Sequence, residues 1–323
     1  MLPDDAIPAP MLAQFRANGK LLLSGEYAVL EGALALGLPT LRGQSLTLFA
    51  NAENDFLLWE SLEPSGNCWF SAAFSLPDLQ LLYHRGNPQT AATLTDILLK
   101  VRRQNPHFLT QAQPLKAVTH LEFPPNWGLG SSSTLITCIA QWAEVNPYQL
   151  LQDTMGGSGY DIACAISDTP VLYRKTTQHI SVEKIDFEPA FAEHLYFVYL
   201  GKKQNSRLAI NHFYQHYHQH TNLINLISAL TLEIANAKTL PQFETLLNQH
   251  EQLLAQALQL KTARQNYFPD YQLGCIKSLG AWGGDFVLAT SHQSAHTTAR
   301  YFTGKGYHTI IPYAQMVKPL VQG

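Results

Sequence analysis

The sequence predicts an α+β protein of two domains, and three observations carry that prediction. Its 323 residues are about twice a typical domain of roughly 150. The first half is built of short apolar runs separated by Gly, Pro and Asn, the pattern of strands and turns. The second half holds long segments with Leu and Ile at three- and four-residue spacing, followed by returning strand-like runs. Strands, helices and strands again predict a second α+β unit. The polar, mixed stretch at 175–190 marks the expected boundary, with residues 1–180 as the N-terminal domain and 181–323 as the C-terminal domain.

Element by element, Leu21, Leu22 and Leu23 form an apolar run that leads into Ser24-Gly25. Ser45–Ala50, Phe56–Trp59 and Trp69–Phe74 read as strands, because β-branched, aromatic and Leu residues sit between turn formers. Thr90–Arg103 reads as a helix closed by Asn105-Pro106. Leu115–Phe123 alternates as a strand and stops at Pro124-Pro125. Leu135–Val145 is an apolar helix. Val171–Arg174 and Leu195–Leu200 are strand-like. Asn205–Ala237 and Leu240–Leu260 read as two long helices, and Phe286–Thr290 and Thr309–Ile311 as closing strands.

Composition narrows the function. Lys plus Arg is 21 and Asp plus Glu is 24, a net charge of −3. A near-neutral chain lacks the clustered positive charge that nucleic acids and membrane surfaces require, so neither is an expected partner. Hydrophobic residues make up 46% of the chain, too many for wholesale disorder. No apolar run approaches the roughly 18 residues of a membrane span. The start, MLPDDAIPAP, is acidic and Pro-rich, unlike a signal peptide. Cys68, Cys138, Cys164 and Cys275 are widely separated and form no CxxC pair. Reduced, mostly buried thiols in a cytoplasmic protein are the expectation.

The sharpest local signal is Pro124-Pro125-Asn126-Trp127-Gly128-Leu129-Gly130-Ser131-Ser132-Ser133-Thr134, set between a strand and an apolar helix. Glycines let backbone N–H groups turn toward one point. A helix start adds unpaired donors and the positive end of a dipole. The three hydroxyls add further donors and a ligand for a cation. The combination suits nucleotide phosphates, although it is neither GxxxxGK[ST] nor GxGxxG. A Gly-Ser turn with a Ser cap uses the same residues and is the plain alternative.

A second turn, Met155-Gly156-Gly157-Ser158-Gly159-Tyr160-Asp161, feeds another helix. Asp161 in its first turn either accepts a proton from a substrate hydroxyl or caps the helix. Lys20 opens an apolar strand in Asn18-Gly19-Lys20-Leu21. It either reaches a carboxylate or phosphate in a cleft or lies at the surface. Lys202, Lys203 and Arg207 follow a strand and open a helix, where they either hold an anionic acceptor or form a solvated turn. His212, His216 and His220 share one helix face with His218 nearby, but nothing completes a zinc site.

Taken in order, GKLLLSGEYAVLEG, PPNWGLGSSST, GGSGYDIACA and KSLGAWGGDF resemble the GHMP small-molecule kinase superfamily. The resemblance runs from about Asn18 to Ala289. Gly25-Glu26-Tyr27, Gly157-Ser158-Gly159-Tyr160-Asp161 and Gly283-Gly284-Asp285 are most similar to the mevalonate-pathway kinases, the phosphomevalonate kinase branch first and mevalonate kinase beside it. The resemblance implies a ribosomal-protein-like N-terminal half and a ferredoxin-like C-terminal half. It implies ATP and Mg²⁺ as cofactors, with Gly128, Leu129, Gly130, Ser131, Ser132 and Ser133 around the phosphates and Ser132 on the metal. Asp161 matches the catalytic carboxylate and Lys20 its electrostatic partner. Glu26, Lys202 and Arg207 are expected at a small anionic substrate, in a monomer or homodimer.

Two positions depart from the family pattern. Leu150 stands where mevalonate kinases carry a Mg²⁺-binding Glu, with Gln152 and Asp153 the nearest polar residues. Trp282 stands where a glycine is usual in the last motif, and either narrows the site or only packs. The implied activity is ATP-dependent phosphorylation of mevalonate or phosphomevalonate. The alternatives are a catalytically silent nucleotide or metabolite sensor, and a kinase for a sugar or amino-acid alcohol.

Overall fold

The computed structural model describes residues 10–51, 55–110, 113–177, 179–202, 206–216, 222–280, 282 and 284–320. The chain divides into two compact units that no single cut separates. One comprises residues 1–17, 43–124 and 131–157, and the other 18–42, 125–130 and 158–323. This division differs from the expected one at 180/181. The two longest strands, β1 (Met11–Ser24) and β2 (Ala35–Ala50), each run through both units, so neither unit is one stretch of chain.

In the first unit the end of β2 joins β3 (Phe56–Leu62), β4 (Cys68–Ser75), β5 (Leu81–Arg85) and β6 (Leu115–Leu121), in the order β5-β4-β3-β6-β2. All neighbours are antiparallel except β3 and β6, which are parallel. Burial in β3 and β6 alternates residue by residue, so one face of the sheet carries the core. Helices α1 (Pro88–Gln104), α2 (Ser131–Ala143) and α3 (Pro147–Thr154) pack on one another. Asn87 caps α1 and Asn146 caps α3, each with Pro at the first helical position.

In the second unit the start of β2 pairs with β7 (Val171–Lys175), and β7 pairs with β8 (Ile180–Lys184), all antiparallel. Strand β8 thus lies inside the polar stretch expected to separate domains. Helix α4 (Tyr160–Ile166) precedes β7. A second, fully antiparallel sheet contains β9 (Leu195–Tyr199), β10 (Ile276–Ser278), β11 (Phe286–Thr290) and β12 (Ile310–Pro312), in the order β10-β11-β9-β12. The single helix expected over Asn205–Ala237 is instead α5 (Ser206–His216) and α6 (Leu223–Asn236). Asn222, at φ −116° and ψ 5°, starts α6 afresh, where the His- and Asn-rich sequence lacks an apolar period. Next come α7 (Leu240–Leu258), α8 (Ala263–Tyr267), α9 (Ala295–Gly304) and α10 (Tyr313–Met316).

Candidate functional site

Strand alternation and one side-chain anchor place Lys20. Asn18 and Lys20 are two apart in β1 and share a face. The Asn18 amide donates to the carbonyl of Ser167, just past α4, at 2.7 Å. That bond turns this face of β1 toward α4. Lys20 donates its backbone N–H to the Leu129 carbonyl at 2.9 Å, and its ammonium donates to the Gly128 carbonyl at 2.8 Å. The strand, the glycine loop and α4 therefore meet at Lys20.

Helix α4 starts from Gly159, at φ 92°, with Asp161 in its first turn. The Asp161 carboxylate accepts from the Ile162 N–H at 3.1 Å. Burial pushes the Asp161 carboxyl above its ordinary range, opposed by the charge of Lys20 and by backbone N–H groups. Burial works against the Lys20 ammonium too. There the neighbouring Tyr160, Asp161 and Asp285 outweigh it and hold Lys20 above its usual value. Both side chains are partly accessible to solvent. A carboxylate and an ammonium in each other's field, both partly accessible, can receive and stabilise a proton taken from a hydroxyl.

Gly128 has φ 67°, and a Cβ there would collide with the Asp285 carboxylate. Only glycine meets both demands. Gly130 also has positive φ, at 87°. The chain then enters α2, where Ser131 is half-buried, Ser132 exposed and Ser133 buried. The Ser132 hydroxyl is accessible at a helix start, as an anion or a cation ligand requires. Thr134 is committed elsewhere, since its hydroxyl donates to Gln44 at 2.6 Å.

These features fit the cofactors that the sequence resemblance implies. Among the described residues no three His, Cys, Asp or Glu side chains form a metal cluster. Mg²⁺ held largely by phosphate oxygens and water needs only one or two protein ligands. Leu150 is fully buried, and Asp153 accepts from Gln149 within α3 at 2.7 Å.

Glu26, expected at the substrate, is enclosed at 1% exposure. One of its oxygens takes the Lys277 ammonium at 2.5 Å and the other faces His250 at 3.4 Å. His250 also accepts from the Gly25 N–H at 3.1 Å. Nearby, Glu251 accepts from the Ser278 hydroxyl at 2.7 Å and backbone N–H at 3.1 Å. Burial pushes the Glu26 carboxyl up to about 7 against the pull of Lys277. Burial and the Lys277 charge hold His250 well below its usual value, and so neutral. Glu26 therefore faces a buried lysine, away from solvent. The signal for this was a lysine in the short, fully buried β10, which demands a carboxylate partner.

Lys202 is exposed, its ammonium 5.0 Å from the centre of the Tyr267 ring. Lys203 and the Arg207 side chain lie outside the described residues. His212 Nε2 meets the Leu258 carbonyl at 2.7 Å, and His216 Nδ1 meets the His212 carbonyl at 2.8 Å. His218 and His220 lie outside the described residues, as do Ala281 and Gly283 of the last motif. Trp282 packs: it is 7% exposed, its backbone N–H donates to the Tyr27 hydroxyl at 2.6 Å, and its indole donates to the Lys261 carbonyl at 2.9 Å.

The fold is similar to that of several solved structures. L. major mevalonate kinase in complex with R-mevalonate aligns over 96% of this chain and 97% of that one, at 16% identity and TM-score 0.68. Streptococcus pneumoniae phosphomevalonate kinase in complex with phosphomevalonate and AMPPNP aligns over 92% and 98%, at 19% identity and TM-score 0.63. Lactococcus lactis galactokinase complexed with galactose aligns over 94% of each chain, at 11% identity and TM-score 0.64. No family model matches the chain, and no curated protein matches it. The chain has the α+β fold of the GHMP kinases. Among the described residues no helix is long and apolar enough to cross a membrane.

Proposed function

We propose that this chain, which has the GHMP kinase fold, is an ATP- and Mg²⁺-dependent small-molecule kinase acting on mevalonate or phosphomevalonate. The observation that carries the reading is the meeting of Lys20, Asp161 and the Gly128 carbonyl at the head of a glycine–serine loop. The likeness to mevalonate kinase and phosphomevalonate kinase structures supports the acceptor class.

In this reading Gly128–Ser133 present backbone N–H groups and hydroxyls to the triphosphate, and Ser132 would hold Mg²⁺. The metal, when bound, neutralises charge on the phosphates. Asp161 orients the acceptor hydroxyl and takes its proton as the oxygen attacks. Lys20 keeps Asp161 ionised and stabilises the hydroxyl oxygen as it gains negative charge. Most of the acceleration comes from positioning and electrostatics, since phosphoryl transfer asks little covalent work of the protein. Lys202 and Arg207 are assigned to an anionic group on the acceptor. Glu26 is not assigned to it, because its carboxylate is committed to Lys277.

A coupled ADP-release assay with mevalonate, phosphomevalonate and galactose tests the reading. Turnover with one of the first two supports it, and turnover with galactose alone moves the acceptor to a sugar. A second reading, a silent nucleotide binder, is favoured by the buried Leu150 at the position of a Mg²⁺-binding Glu. Tight ATP binding without turnover over a broad acceptor panel would establish it.

A further inference from the structure

Trp127 stands directly before Gly128, and the chemistry above gives it no part. Its ring is half-buried against the second sheet. The indole meets Phe286 of β11 edge to face, with ring centres 5.5 Å apart and planes at 87°. It lies 6.2 Å from the ring of Tyr199 in β9. Phe286 and Tyr199 are cross-strand partners whose own rings stand 5.2 Å apart, so the two form one aromatic seat. The Arg42 guanidinium of β2 lies over the indole, 5.3 Å from its centre. Two rings and a cation, from three strands, therefore converge on one side chain of the loop.

The backbone on either side of Trp127 is held as well. The Tyr199 hydroxyl donates to the Asn126 carbonyl at 3.0 Å. The Asp285 carboxylate, one residue before Phe286, occupies the place that a Gly128 Cβ would take. Asp285 is itself fixed, its N–H donating to the Lys202 carbonyl at 2.8 Å and its carbonyl accepting from the Leu200 N–H at 2.7 Å. Lys20 bonds to the Gly128 carbonyl through its ammonium and to the Leu129 carbonyl through its backbone N–H.

We propose that Trp127 is the positioning residue of the glycine loop. Seated on Phe286 and Tyr199 with Arg42 over its ring, it holds Gly128 and Gly130 in the one conformation that presents their N–H groups to phosphate. Both glycines have positive φ, 67° and 87°. Glycine reaches that region freely but has many other conformations, so fixing two of them costs more entropy than fixing ordinary residues. A large ring with few rotatable bonds supplies the opposing attraction, through aromatic pairs and a cation–π contact. A loop that wanders binds its ligand with an affinity reduced by the fraction of time it spends in the competent shape. Lys20 is bonded to the two carbonyls that follow Trp127, so loss of the seat loosens Lys20 too.

The effect on nucleotide rests on the kinase reading; the hold on the loop does not. Two measurements separate them, in the parent, in Trp127→Leu and in Trp127→Phe. In the first, hydrogen exchange of the Lys20 amide, which donates to the Leu129 carbonyl, is followed by NMR without ligand. Trp127→Leu should raise its rate about tenfold while the amides of β6 keep theirs. An unchanged Lys20 rate overturns the proposal, whether or not the protein is a kinase. In the second, ADP affinity in the presence of Mg²⁺ is read by titration calorimetry. Trp127→Leu should weaken it about tenfold, with KM for ATP rising alike and kcat within about threefold of the parent. Trp127→Phe keeps a ring on the seat and should stay within about threefold of the parent in both measurements; a loss equal to that of Trp127→Leu overturns the ring contacts as the cause. Faster exchange with undiminished ADP affinity also overturns the proposal, since the loop then needs no holding. A parent that binds no ADP, with the Lys20 amide still faster in Trp127→Leu, rejects the nucleotide reading and leaves the hold on the loop standing. If Trp127→Leu fails to fold by circular dichroism, Tyr199→Phe, which removes only the hydroxyl at the Asn126 carbonyl, repeats both measurements with the same expected direction and the same overturning results.

Discussion

At Asp161 two effects of burial and charge oppose each other. Burial raises the carboxyl, and Lys20 lowers it without cancelling the rise. An acid raised in the folded protein ionises later, so in the proposed reaction the activity that needs the carboxylate is lost on acidification above the ordinary Asp value of 3.8. Lys20 is raised from 10.5, so its ammonium persists through neutral pH and is lost only on the far alkaline side. The expected kcat/KM profile is a bell with a displaced acid limb, read by stopped assays across pH. In the proposed reaction Asp161→Asn removes the proton acceptor, and it should lower kcat about 10²- to 10⁴-fold while ADP binding, measured by calorimetry, survives. Retained turnover in that variant would remove Asp161 from the chemistry. The residue pattern around Asp161 was legible because helix starts and glycine turns are local. Its partner Lys20, 141 residues earlier (161 − 20), was legible only through the order of motifs.

At the scale of elements, the glycine loop and the last motif behave differently. The loop depends on backbone shape. Gly128→Ala forces a Cβ into positive φ, at about 1–2 kcal/mol, and against the Asp285 carboxylate. ADP affinity should weaken by about tenfold or more, which titration calorimetry reads directly. Trp282 works as packing. It belongs to a buried cluster with Tyr27, Phe213, Leu223, Ile227, Leu254 and Leu258, and its two N–H groups are satisfied. Trp282→Ala should cost about 3–5 kcal/mol of stability, seen as a lower denaturation midpoint. A midpoint unchanged within error would return the ring to the role of narrowing the site. Most helices and strands were readable from period and punctuation. The break between α5 and α6 was missed because apolar spacing on both sides suggested one continuous period.

For the molecule as a whole, the buried charges of the second unit dominate the expectations. Glu26 and Lys277 are 251 residues apart in sequence and paired at 0–1% exposure. Removing one partner leaves the other's charge enclosed. Lys277→Met should cost about 3–5 kcal/mol, and Glu26→Gln combined with Lys277→Met should recover much of it. Urea denaturation of the single and double variants measures this; equal loss in both would mean that the pair does not act as a unit. The pH dependence follows from two opposed groups. Glu26 is raised on folding from 4.5 to about 7, so its contribution to stability is full below 4.5 and lost as pH rises toward 7. His250 is lowered from 6.5, so its contribution is full above 6.5 and lost on acidification. In the parent these partly cancel. In Glu26→Gln only the histidine acts, and the melting temperature should climb more steeply as pH rises toward 6.5 and level off above it.

The amino-acid order alone determined most of the strands and helices and the glycine turns, because each depends on residues within a few positions of one another, but not the start of α6 or strand β8. It also placed Lys20, the Gly128–Ser133 loop and Asp161 in a recognisable succession. Only the tertiary structure decided that Glu26 turns inward to Lys277, that Trp282 packs, and that Tyr160 lies at Lys20. Burial and pairing belong to contacts between distant segments, and no local pattern encodes which distant charge a buried one will meet.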